Sequence, residues 1–176
     1  MKTNIALIGF MGVGKTAVGR LLAKRLGRKF IEMDALIEQK AGKSIPEIFR
    51  QDGEIAFREL EIEVTKEVAG KKNTVIACGG GIILNKINID RLRESGKIVY
   101  LTASPKAILK RVASEKGQRP LLEVDNPALA IRNLQKFRKP FYERAADATI
   151  STSKLDIGAV AEQIIAKLKE DESFNL

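Results

Sequence analysis

The chain has 176 residues, 44% of them hydrophobic, with 31 Lys and Arg against 22 Asp and Glu for a formal net charge of +9. That is the size and composition of one domain with a real core, which excludes a disordered or collagen-like chain, and no apolar run approaches the ~18 residues of a bilayer span. Histidine is absent, which removes histidine-dependent triad hydrolases and Cys/His zinc sites.

Residues 4–9 are short, apolar and end in glycine, the pattern of a buried strand. Residues 14–26 put Val18, Leu21, Leu22 and Leu26 on one helical face, and Gly27 stops that helix. Residues 30–33 read as a second strand. Two helices separated near Gly42 follow, the second opened by Ser44 with Pro46 in its first turn and Glu47 at capping-box spacing. Residues 54–69 carry the stripe Phe57, Leu60, Val64, Val68 of a longer helix. Strands are expected at 74–77, 98–102 and 148–151, with Ser104 capping the helix after the fourth strand. Another helix is expected over 128–144. The helix 156–169 is expected to bury Ile157, Val160, Ala161, Ile164 and Leu168, with 170–176 a frayed tail. Strands separated by helices imply an α/β fold with a parallel sheet covered on both faces.

The one cysteine, Cys78, has no internal disulfide partner, which fits a reducing cytosol, and no targeting segment is read at the N-terminus. Cytoplasmic location is therefore expected, with no membrane partner. The basic residues are scattered, and aromatics are only 5%. A solvated basic surface or a small anionic ligand is expected, and not a nucleic-acid platform.

Gly9-Phe10-Met11-Gly12-Val13-Gly14-Lys15-Thr16 fits G-x-x-x-x-G-K-S/T between a strand and a helix start. Glycines let the backbone wrap phosphates, and the helix N-terminus adds its dipole. Lys15 has the reach for the β- and γ-phosphates, and the Thr16 hydroxyl suits Mg²⁺. This is a nucleoside triphosphate signature that does not name the acceptor.

Three features bear on the acceptor. Glu32-Met33-Asp34 stands at the end of the second strand, where alternation would turn both carboxylates to one site; Asp34 is equally suited to cap the next helix. Gly79-Gly80-Gly81 follows the third strand, where the usual metal-binding aspartate is missing. It reads either as bare backbone against a ligand or as a flexible turn. Arg58, Arg111, Arg119 and Arg138 are ordinary surface residues or anion ligands. Arg119 stands out in the helix-breaking loop Gly117-Gln118-Arg119-Pro120, and Arg138 for its place just before Pro140, at a local distortion.

On GFMGVGKT, MD at 33–34, DGE-x-x-FRELE at 52–61, CGGG at 78–81, QRPLL at 118–122 and FRKPFYERAA at 137–146, the sequence resembles the shikimate kinase family over essentially its whole length. The resemblance implies one nucleotide-kinase-like P-loop domain over residues 1–176. It would have a five-stranded parallel sheet, a substrate-binding helical region near 34–62 and a lid near 112–124. It implies transfer of the γ-phosphate of ATP to the 3-hydroxyl of shikimate by a cytoplasmic enzyme, expected as a monomer, in aromatic amino acid biosynthesis. ATP would meet Gly12, Val13, Gly14, Lys15, Thr16 and Ala17, with Arg119 of the lid on the phosphates and Arg111 on adenine. Asp34 would hold the shikimate hydroxyls, Arg58 and Arg138 its carboxylate, and Gly79, Gly80 and Gly81 would lie beside the ring. Lys15, Asp34 and Arg119 would be the catalytic set, with Thr16 and Glu32 toward Mg²⁺. Two departures stand out: Glu32-x-Asp34 replaces the frequent Asp-x-Asp, and 152–155 lacks an arginine near adenine.

Two other readings fit the phosphate loop: a small-metabolite kinase of the same build, such as gluconate kinase, and a nucleotide-gated binding module without catalysis. Paired Arg58 and Arg138 beside the glycine run favour a cyclic carboxylate.

Overall fold

The computed structural model describes residues 1–176 apart from 114, 116, 117 and 155. Five strands run parallel in the order β2 (Lys29–Glu32), β3 (Thr74–Ala77), β1 (Asn4–Ile8), β4 (Gly96–Thr102), β5 (Ala148–Ser151). The helices are α1 (Lys15–Leu26), α2 (Met33–Ala41), α3 (Ile45–Gln51), α4 (Gly53–Ala69), α5 (Lys86–Ser95), α6 (Pro105–Val112), α7 (Pro127–Ala145) and α8 (Ile157–Lys169). Helical layers cover both faces, so every residue of β1 and β3 is buried and the strands read as continuous apolar runs.

Side-chain alternation divides the core. Ile5, Leu7, Val75, Val99 and Leu101 face one apolar cluster with α1 and α8. Ala6, Ile8, Ile76, Ile98 and Tyr100 face the other with α2 to α5. β1 lies between β3 and β4, and the chain leaves it first toward β2 and later toward β4. Loops at the carboxyl ends of β1 and β3 therefore open onto one crevice, where parallel sheets bind ligands.

Four sequence expectations need correction. The second strand ends at Glu32, and Met33 already begins α2, packing its buried side chain into the core. α5 was not anticipated: its ten residues carry only Ile89 and Leu92 as well-buried apolar anchors, too few for a clear stripe. The last helix does not bury Ile157, which is 45% exposed in the first turn of α8. Pro140 lies inside α7, where it removes the intrahelical partner of the exposed Lys136 carbonyl. The C-terminal tail is not frayed. Phe174 is buried and pairs by backbone with Lys2, Arg28 sits over its ring at 5.1 Å, and Lys97 binds Asp171 at 2.5 Å. No helix among the described residues is long and apolar enough to cross a membrane.

Candidate active site

Between β1 and α1 the chain turns through backbone that side chains resist. Gly9 has φ 147°, and a Cβ there would stand 2.4 Å from the Leu101 carbonyl oxygen; Gly14, at the N-cap of α1, has φ 101°. Lys15 folds back so that Nζ donates to the carbonyls of Gly9 at 2.7 Å and Phe10 at 2.9 Å. Burial lowers its pKa to about 8, against the opposing pull of Asp34; Arg119 and Arg138 lower it further. Thr16 Oγ1 donates to Glu32 Oε1 at 2.5 Å, and Arg20 stands 3.7 Å from the other Glu32 oxygen.

A cavity of about 290 Å³ opens over this loop, lined by Gly12, Gly14, Lys15, Thr16, Ala17, Glu32 and Arg111 among others. Val13 does not line it: its side chain is core, leaving only its backbone for ligand contact. Arg111, on α6, donates to the carbonyls of Gly12 at 3.2 Å and Val13 at 3.4 Å.

A second cavity adjoins the first. Asp34 from α2, Arg58 and Glu61 from α4, Gly79, Gly80 and Gly81 after β3, and Arg138 from α7 line it, with Phe49, Phe57 and Leu121 as apolar walls. Met11, Asp34, Gly79, Gly80 and Arg119 belong to both cavities and form their common wall. All the residues expected to hold an acceptor thus stand around one space, although they come from four separate parts of the chain.

Placement on α2 changes the local argument for Glu32 and Asp34. Glu32 occupies the N-cap position and Asp34 the first turn, and neither accepts a side-chain capping bond. Strand alternation therefore does not bring them together; the strand-to-helix bend does, and both carboxylates line the loop cavity. The cap reading of Asp34 falls with it.

Arg58 both lines the second cavity and pairs with acids, donating to Glu61 at 3.0 Å and Glu54 at 3.1 Å. Arg138 is 3% exposed and lies over the Phe10 ring at 5.9 Å, while Glu143 pairs with Lys139 instead. Arg119 donates Nε to Glu115 at 2.8 Å. Positions 114, 116 and 117 of the expected lid and position 155 of the expected adenine loop lie outside the described residues.

The second cavity concentrates unsatisfied polarity. Asp34 Oδ1, Arg58 Nε, Glu61 Oε2 and Arg138 Nε are buried without hydrogen-bond partners, and among the described residues only two other side-chain atoms, on Asn88 and Gln135, share that condition. Burial raises the pKa of Asp34, opposed by Lys15 and Arg119, and raises that of Glu61, opposed by Arg58. Each such atom costs stability, so a cluster of both charge signs around one space is built for a polar ligand. Space is set by missing side chains: a Cβ on Gly81 would lie 2.3 Å from Arg58 Nη1, and one on Gly79 3.0 Å from Glu61 Oε2 and 3.1 Å from Asp34 Oδ1.

Glu61 was not singled out as a site residue from the sequence. The signal was present, since an acid four residues after Phe57 falls on the buried stripe of α4, where it is 0% exposed. Tyr142 was also missed; its hydroxyl donates to the Gly80 carbonyl and its ring stacks on Tyr100 at 4.9 Å. Only the fold reveals that contact.

The family model for shikimate kinase matches residues 11–169. A shikimate kinase of Pelotomaculum thermopropionicum is 46% identical over 167 residues, covering 95% of this chain and 96% of the relative. The solved shikimate kinase of Acinetobacter baumannii in complex with shikimate superposes with a TM-score of 0.93 at 40% identity, covering 98% of this chain and 96% of that one. A gluconokinase from Sinorhizobium meliloti shares only the fold, with a TM-score of 0.60 at 17% identity over 96% of this chain and 92% of its own. The phosphate loop, the acceptor cavity and these likenesses agree: the chain belongs to the shikimate kinase family.

Proposed function

We propose that the chain transfers the γ-phosphoryl group of ATP to the 3-hydroxyl of shikimate, with ATP over the loop cavity and shikimate in the second. The observation that carries this is the common wall. Asp34, Gly79 and Gly80 face both cavities, so a hydroxyl in one lies next to phosphates in the other. The A. baumannii relative with shikimate bound supports the choice of acceptor.

Phosphoryl transfer needs positioning and charge neutralisation more than covalent chemistry. Asp34 orients the acceptor hydroxyl and takes its proton at the carboxylate; its raised pKa makes it a better base than an exposed aspartate. Lys15 leaves the Gly9 and Phe10 carbonyls for the β- and γ-phosphates, and Arg119 offsets charge on the transferring group. Arg58 and Arg138 grip the shikimate carboxylate by charge-assisted bonds, and Glu61 holds the Arg58 fork in place. Arg111 stands beside the loop on the nucleotide side. Gln118, Arg119, Pro120 and Leu121 line the acceptor cavity, and drawing them over the bound ligands would exclude water.

The residues present fit Mg²⁺. Thr16 Oγ1, Glu32 and Asp34 offer only oxygen donors, and no described group of three metal-ligating side chains forms a cage. That suits an ion which keeps waters and relies on substrate phosphates. When bound, Mg²⁺ neutralises phosphate charge. Thr16 and Glu32 would hold it, the glutamate through water.

ADP release measured with shikimate, gluconate and nucleoside monophosphates tests the reading. Shikimate should exceed the others by at least about 10³ in kcat/KM, since an open-chain polyol acid or a nucleotide cannot present a carboxylate and hydroxyl in the ring geometry of Arg58, Arg138 and Asp34 and leaves those buried groups unpaired. Equal rates with gluconate would overturn the acceptor assignment, and no acceptor-dependent release would point to a binding module.

A further inference from the structure

Thr152 follows β5, and it is 5% exposed despite its hydroxyl. Its backbone N–H donates to the Thr102 carbonyl at 2.7 Å, extending the β4–β5 pairing by one step. Its Oγ1 stands 2.8 Å from the Val13 carbonyl oxygen and 3.1 Å from that of Thr102, and its one hydrogen serves one of them at a time. On the acceptor side the hydroxyl receives Arg111 Nη1 at 3.3 Å, and Arg111 Nη2 donates to the Thr152 carbonyl at 2.9 Å. The same Arg111 Nη1 approaches the Gly12 and Val13 carbonyls. A residue at the far edge of the sheet, 139 positions away, thus reaches the middle of the phosphate loop.

Peptide geometry gives this contact a consequence. A trans peptide is planar, with C=O and the following N–H pointing in opposite directions. The Val13 N–H turns back to the Phe10 carbonyl at 3.3 Å, so it is committed to the turn. Drawing the Val13 carbonyl outward onto Thr152 and Arg111 aims the Gly14 N–H the other way, toward the cavity that Gly14 lines. Gly14 is at φ 101° with no side-chain packing to hold its orientation: a Cβ placed on it meets nothing within 4 Å. Its N–H direction is therefore set from the Val13 side.

We propose that Thr152 is a positioning residue for the nucleotide: its hydroxyl, together with Arg111, fixes the Val13 carbonyl and so preorganises the Gly14 N–H for a phosphate oxygen. This rests on the reading of the loop cavity as the ATP site. Thr152 also ties that orientation to the β4–β5 edge, so the loop is clamped from two elements that make no part of the motif.

The test compares Thr152→Val, which keeps the shape and loses the hydroxyl, with Thr152→Ser, which keeps the hydroxyl and loses the methyl. ADP and shikimate dissociation constants are measured by calorimetry, together with ligand-free Tm. Thr152→Val should weaken ADP about five- to tenfold, the size of one hydrogen bond. Shikimate binding should stay within twofold, and Thr152→Ser should bind ADP within twofold of wild type whatever its Tm. If Thr152→Val loses Tm but binds ADP like wild type, the role is only structural and the proposal fails. If Thr152→Val does not fold, the serine variant decides: loss of ADP affinity there assigns the effect to the methyl and overturns the proposal. Wild-type ADP binding, measured alongside, separates these outcomes from failure of the ATP reading, which would leave wild type itself without affinity.

Discussion

The two cavities meet at one wall but are built in opposite ways. The phosphate side is centred on eight consecutive residues, which offer backbone N–H groups, a helix N-terminus and one lysine. Lys15 rests on two loop carbonyls, so the charge is satisfied before a nucleotide arrives. The acceptor side draws charged side chains from α2, α4, the loop after β3 and α7, and four of their buried atoms have no partner. A backbone cradle tolerates variation around it and binds any phosphate; a cage of side chains specifies one ligand and stores its desolvation cost in the folded protein. Generic binding on one side and selective binding on the other is what a kinase needs.

The comparison breaks first at the shared wall. Asp34→Asn keeps shape but loses charge and basicity, and turnover should fall by on the order of 10³ or more, since both orientation and proton acceptance go. ADP affinity should stay within about threefold. If nucleotide binding collapses while shikimate binding survives, Asp34 belongs to the metal side. The variant should also melt at a higher temperature, because the wild-type carboxylate is buried with an unpartnered oxygen and a raised pKa. A lower Tm would show that Lys15 stabilises the charged form more than burial penalises it.

On the phosphate side, Lys15→Met should cost on the order of 10²–10³ in kcat/KM, the effect of removing one charge contact in a dry site. A variant keeping half of wild-type turnover would sink the nucleotide assignment.

A smaller effect sharpens the contrast through pH. Because the Lys15 pKa is lowered to about 8, ADP affinity should weaken as pH rises past that value, by roughly tenfold over two units. Stability runs the other way. A base whose folded pKa is depressed penalises folding below that pKa, and the penalty is relieved as pH rises from about 8 toward the ordinary 10.5. The difference in Tm between wild type and Lys15→Met should therefore shift in favour of wild type across that window, while its advantage in ADP binding shrinks. Parallel movement of the two quantities would contradict the assignment.

Legibility in the sequence follows the same division. A contiguous motif can be read directly, and the strand and helix pattern around it fixed the sheet, the helical layers and the loop. The acceptor cavity depends on bringing Arg58 of α4 and Arg138 of α7 around one space, and local periodicity does not encode that. Arg58 and Arg138 stood out in the sequence only as surface residues or anion ligands; their carboxylate role came from family resemblance, and the fold brings them to one space. Glu61 stayed hidden because a buried acid on an apolar stripe looks like an ordinary surface glutamate until its helix is packed. Glu32 and Asp34 share a cavity, but not by the geometry that their spacing in a strand suggests. Neither strand alternation nor helical spacing brings residues 32 and 34 together; the bend from β2 into α2 does, with Met33 joining the core in α2 instead of ending β2. The tail was misread because seven residues with one phenylalanine carry no period, although Phe174, the Lys97–Asp171 pair and the backbone pairing with Lys2 anchor them.

The central claim is that two arginines from distant helices recognise a carboxylate. Arg58→Lys and Arg138→Lys keep the charge but lose the planar fork, so shikimate KM should rise roughly 10–100-fold, each such contact being worth ~1.5–3 kcal/mol. The decisive quantity is the preference of each protein, in kcat/KM, for shikimate over the analogue whose carboxylate is reduced to an alcohol. Wild type should prefer the acid strongly, and both lysine variants should discriminate less, because the interaction that distinguishes the two ligands has already been weakened. Variants that lose stability yet keep the wild-type ratio would show Arg58 to be only the partner of Glu54 and Glu61, and Arg138 only a buried packing residue, contradicting the account.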